Sequence, residues 1–72
     1  MEQNNTMFLI LKKKIGATAN VVEDYGGYEI TVTDNENFPW DEIFSLLIDS
    51  GFQIWINKKN SQIQIMSKPE VN

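Results

Sequence analysis

The sequence predicts a small α+β domain of αββαββ order, with two helices packed on one face of a four-stranded antiparallel sheet. Three observations predict it. An apolar helical stretch, a glycine stop and two strands separated by a polar turn occur twice, over residues 7–33 and 40–66. Superposing Gly16 on Gly51 aligns Phe8 with Ile43, Leu11 with Leu46, Ala19 with Ile54, Val21 with Ile56 and Ile30 with Ile65. The length, 72 residues, accommodates one domain near the lower limit for a self-sufficient core.

Residues 1–5 and 70–72 are expected to fray. The first helix is placed at residues 7–15. Phe8, Leu11 and Ile15 share a face there, whereas Leu9 and Ile10 fall off it, and a five-residue apolar run also fits a buried strand. Lys12, Lys13 and Lys14 favour the negative end of a helix, and Gly16 stands where a C′ glycine would. Those residues, with Thr6 or Asn5 as a cap, tip the reading to helix. Alternation then gives strands at 17–23, with Ala17, Ala19 and Val21 inward, and at 28–33, with Tyr28, Ile30 and Val32 inward. Between them, Gly26 and Gly27 supply two turn residues that tolerate positive φ.

The second helix is placed at residues 40–50. Pro39 suits its first turn, Asn37 is a candidate cap, and Asp41 and Glu42 put negative charge at the positive end of the dipole. Trp40, Ile43, Phe44, Leu46, Leu47 and Ile48 span an arc of about 200°, wider than a helix on a sheet minimally requires. The width fits packing on both the sheet and the sister helix. The alternative gives one flank, Trp40 with Phe44 and Ile48, to another chain. The last two strands are placed at 52–57, with Phe52, Ile54 and Ile56 inward, and at 62–66, with Ile63 and Ile65 inward. Residues 58–61 form the turn, and Pro69 ends the ladder.

This pattern leaves a helix-free face carrying Thr18, Asn20, Val22, Thr31, Thr33, Gln53, Trp55, Asn57, Gln62, Gln64 and Met66. Uncharged hydrogen-bonding groups around a Trp resemble the centre of a protein interface, where charges are depleted and aromatics enriched. The competing reading is the wet side of an ordinary antiparallel sheet. The candidate interface residues are Trp55, Gln53, Asn57, Gln64, Met66, Thr31, Thr33 and Trp40.

Catalytic chemistry finds little support. The chain has no Cys and no His, so disulfides, thiolate sites and Ser–His or Cys–His couples cannot be built. Asp34, Glu36 and Asp41 lack the spacing of a calcium loop, and Gly26-Gly27 lacks the strand–helix setting of a phosphate loop. No enzyme activity, cofactor or metal is expected. Lys12–Lys14 and Lys58–Lys59 form short basic patches beside a sheet that carries Trp55, which is the runner-up reading of a nucleic-acid-binding module. The net charge of −4 and pI near 4.5 argue against it, since backbone binding rests on neutralising phosphates. An acidic surface suits a basic protein partner, or a second copy of the chain, better. The longest apolar run is far too short for a membrane span, the lysines follow rather than precede it, and the absence of Cys fits a reducing cytoplasm.

Leu47-Ile48-Asp49-Ser50-Gly51, entering the strand at Phe52, resembles the helix end of the LAGLIDADG homing endonucleases, whose core also has αββαββ order. In that family the acid beside the glycine binds the catalytic metal. Here Ser50 holds that position, the spacing is one residue short, and Lys14-Ile15-Gly16 carries no acid. The basic DNA-facing sheet is also missing. The resemblance is therefore read as shared helix-end chemistry.

Overall fold

The computed structural model describes residues 4–24 and 26–70, with side chains from residue 6 onward. The elements run α1 (Asn4–Ile15), β1 (Ala19–Asp24), β2 (Gly27–Val32), α2 (Trp40–Asp49), β3 (Phe52–Lys59) and β4 (Gln62–Pro69). The chain is a small α+β domain with two helices and one four-stranded antiparallel sheet.

Residues 7–15 are helical, as the lysine run and Gly16 require. Gly16 takes φ +55°, and its N–H returns to the Lys12 carbonyl at 3.0 Å. α1 starts at Asn4, so Thr6 lies inside the helix rather than capping it, and residues 4–5 belong to the element instead of fraying. Residues 1–3 and 71–72 lie outside the described residues. Glu70, expected to fray, donates its N–H to the Gly51 carbonyl at 2.8 Å and so extends the β3–β4 ladder.

α2 begins after Pro39 with no side-chain cap. Asn37 turns away from that role and donates to Asp34 Oδ2 at 2.9 Å. At the far end the Ser50 N–H reaches the Leu46 and Leu47 carbonyls, and Gly51, at φ +86°, donates to Ile48 O at 3.0 Å. Both glycines thus stop a helix and aim the chain into a strand.

The strand order is β1-β2-β4-β3. Each hairpin pairs internally, and the two meet where β2 lies against β4 with Ile30 opposite Ile65. These two fully buried residues mark the middle of the sheet. Around them pack Leu11 and Ile15 from α1, Ile43 and Leu47 from α2, and Ala19, Val21, Val32 and Phe38. Tyr28 closes one end, stacked on Phe8 at 6.4 Å and tilted against Phe52 at 5.6 Å. Burial and the nearby Glu23 carboxylate raise the Tyr28 phenol above its ordinary value of 10.0.

Several expected placements change. Ala17 is exposed and lies outside β1, because residues 16–18 turn the chain: the Thr18 N–H and hydroxyl both donate to the Ile15 carbonyl. On α2 the fully buried residues are Ile43 and Leu47, the second one position beyond the half-buried Leu46 that the Gly16–Gly51 alignment pairs with Leu11. Gly27 is the first residue of β2 rather than a turn residue. A Cβ there would lie 1.9 Å from the Ser67 carbonyl oxygen, so close approach of β4 is what demands glycine. β3 and β4 form a longer hairpin than the alternation suggested, closed by Asn60 and Ser61 at φ 53° and 66°, as a two-residue turn of mirror-image type requires. Ile56 points to the helix side but remains 59% exposed, because β3 is an edge strand.

Candidate protein-binding face

Strand registers assemble the open face row by row. Val22 pairs with Glu29, Glu29 with Met66, and Met66 with Trp55, so one row crosses all four strands. The next row is Asn20, Thr31, Gln64 and Asn57. Side chains within a row sit close enough to touch, and the period of two keeps every one of them on the side away from Ile30 and Ile65. Trp55 is 50% exposed and Val22 51% exposed, while Met66, Thr31 and Gln64 are half-buried between them. Trp55 and Met66 thus adjoin at one end of the row and Val22 stands at the other, on a surface made mainly of amides and hydroxyls.

Six of the eight candidate residues come together on this face: Trp55, Gln53, Asn57, Gln64, Met66 and Thr31. Thr33 stands just past the end of β2, where its N–H and hydroxyl both donate to the Thr18 carbonyl, so it braces the β1–β2 hairpin. Trp40 belongs to the helix layer on the other side of the sheet. Its ring meets Phe38 edge-on at 4.7 Å and Phe44 at 6.0 Å, and its indole N–H donates to Asn35 O at 2.9 Å. Those contacts fasten the loop before α2 to the helix and account for the Trp without a partner chain. Of the flank considered for an outside contact, only Ile48 stays largely exposed, at 61%.

The face also carries charge: the alternation that turns Thr31 and Thr33 outward turns Glu29 outward with them, although the expected face was drawn without it. Glu29 lies in the Trp55 row and accepts a hydrogen bond from Gln64 Nε2 at 3.1 Å. The added length of β3 and β4 brings Lys59 and Lys68 to the rim, with the Lys68 ammonium donating to the Asp24 carbonyl at 3.1 Å. The centre remains uncharged apart from Glu29, whose carboxylate is already held by an amide. Sequence reasoning missed Phe38, which is buried, and Ser67, whose hydroxyl lies inside the core with no hydrogen-bond partner. A Phe next to Pro39 in a polar loop gives no periodicity to read, and Ser67 lay beyond the strand boundary expected at Met66.

Among the described residues, no group of three or more acidic, His or Cys side chains is placed to hold a metal ion. A shallow, open depression on the helix layer is lined by Phe38, Pro39, Trp40, Asp41 and Glu42, with no buried polar side chain aimed into it. No described helix is long and apolar enough to cross a membrane. In comparisons with known proteins, the chain matches no family model, no curated protein and no solved structure. What the fold and face define is a class: a two-layer α+β domain with helices on one side of its sheet and an open, Trp-bearing side opposite.

Proposed function

We propose that this is a small acidic accessory or regulatory protein without catalytic activity, which acts by binding another protein through the open sheet face. The observation that carries the reading is Trp55, half-exposed beside Met66 and bordered by Gln53, Asn57 and Gln64. A large aromatic among neutral hydrogen-bonding groups can be desolvated by a partner without stripping water from a charge. The net charge of −4 favours a basic partner and speeds its approach.

The test is affinity capture from the native host with tagged protein, scored against Trp55→Ala and, as a control on the opposite layer, Ile48→Ala. A genuine partner binds the wild type and Ile48→Ala alike, and loses roughly 2 kcal/mol of affinity, near thirtyfold, with Trp55→Ala. Equal retention by all three proteins would remove the open face from consideration. Loss of the captured species on nuclease treatment, with affinity for an oligonucleotide falling steeply with salt, would replace a protein partner by nucleic acid.

A further inference from the structure

β3 is an edge of the sheet, and it is the longer of the two edges, eight residues against six for β1. A long, flat edge with apolar side chains is a template for pairing with another strand. The β3–β4 ladder fixes which of its backbone groups are free to do so. Glu70 donates to Gly51 O, and antiparallel bonding alternates, so Gly51, Gln53, Trp55, Asn57 and Lys59 turn their N–H and C=O groups toward β4. Phe52, Ile54, Ile56 and Lys58 therefore turn theirs outward, beyond the sheet.

We propose that two copies of this chain pair β3 to β3, antiparallel, about a two-fold axis at Trp55, making one continuous eight-stranded sheet. Only registers that set outward residues opposite one another can form the bonds. Of these, the one centred on Trp55 uses the whole strand: Ile54 faces Ile56 of the second copy, Phe52 faces Lys58, and Gln53 faces Asn57. About eight new backbone hydrogen bonds form. On the helix side, Ile56, 59% exposed in the single chain, is covered by the second copy's Ile54. On the open side the two indoles meet at the axis, in the closely spaced type of pair where side chains approach most.

The charges are complementary in this register. Lys59 comes opposite Gly51 of the second copy, whose ladder neighbour is Glu70. Lys58 comes opposite Phe52, beside the α2 end that carries Asp49 and the negative pole of the helix. No like charges face each other. The arrangement is isologous, so it closes at two copies instead of growing into a fibre. The pairing shares Trp55 with the open face to which the proposed function is assigned, and it would set two such faces side by side with the indoles at their join.

The experiment combines sedimentation with single cysteines, each introduced into a chain that has none. Wild type should sediment as a dimer at tens of micromolar. Ile56→Pro removes an outward N–H without touching the β4 ladder, and should give a monomer with an unchanged circular dichroism spectrum. Trp55→Cys should crosslink to itself in oxidising buffer, since Cα atoms of such a pair are about 4.5 Å apart, within disulfide range. Gln53→Cys should not, its copies standing roughly 13 Å apart along the strands, yet it should crosslink when mixed with Asn57→Cys. If Ile56→Pro unfolds, the crosslinking pattern alone decides. A monomer at millimolar concentration, a dimer with a different crosslinking pattern, or a ladder of larger species would each overturn the proposal.

Discussion

Gly27→Ala is the substitution whose cost follows most directly from the geometry. The added methyl would stand 1.9 Å from the Ser67 carbonyl oxygen, 2.9 Å from its carbonyl carbon and 3.0 Å from the Lys68 Cα. Ordinary contacts lie near 3.5 Å, so β4 must retreat from β2 by more than about 1 Å at this end. The obstacle is backbone in a central strand, which no rotamer change can relieve. Separation loosens the Tyr28–Ser67 pair and the hydrogen bonds next to it. Those bonds are worth about 1 kcal/mol each, and overpacking adds about 1–3 kcal/mol, for a total near 3 kcal/mol. A domain of this length has roughly 4–10 kcal/mol of stability in all. Thermal unfolding followed by circular dichroism should therefore show a midpoint lowered by roughly 15–20 °C. Gly26→Ala is the control: nothing lies within 4 Å of its Cβ, and only the positive φ of +82° is strained, so it should cost nearer 1 kcal/mol. Equal midpoints for wild type and Gly27→Ala would mean that β4 does not approach β2 as described.

Three further outcomes follow from single side chains. Ser67→Ala should leave stability unchanged or raise it slightly in urea titration, because it removes a buried hydroxyl that has no partner. Ser61→Gly should raise stability by roughly 0.5–1 kcal/mol in urea titration, since Ser61 holds φ 66°, a strain that glycine does not feel. Tyr28 has its phenol raised in the folded state, so its neutral form is the one the fold favours. Its contribution is complete below the unfolded value of 10.0 and is lost as pH climbs through the higher folded value. Urea midpoints measured from pH 9 to 11 should fall more steeply for wild type than for Tyr28→Phe.

The parts of the fold legible in the sequence were those set by local chemistry. Gly16 and Gly51 are the only way out of two helices that end on apolar faces, and both take positive φ where the chain turns into a strand. Period-two alternation identified the inward residues of β2 and β4, including Ile30 and Ile65, and hence the outward Thr31, Gln64 and Met66 that build the open face. The failures at Gly27 and Ile56 share one cause, which is that long-range contacts decide them. Gly27 reads as a turn glycine until the approach of β4, distant in sequence, supplies the reason for it. Ile56 reads as core until strand order makes β3 an edge. Trp40 reads as a candidate anchor until Asn35, Phe38 and Phe44 are found around it.

The open face itself is tested most directly by nuclear magnetic resonance on the protein titrated with its captured partner. Gln53, Asn57 and Gln64 carry side-chain amides on that face, and Leu9, Ile10 and Ile48 carry exposed methyl groups on the helices. Binding through the sheet should shift or broaden the three amide pairs and the Trp55 indole N–H while the helix methyls stay in place. Movement of the helix methyls with silent amides would put the partner on the opposite layer and contradict the account.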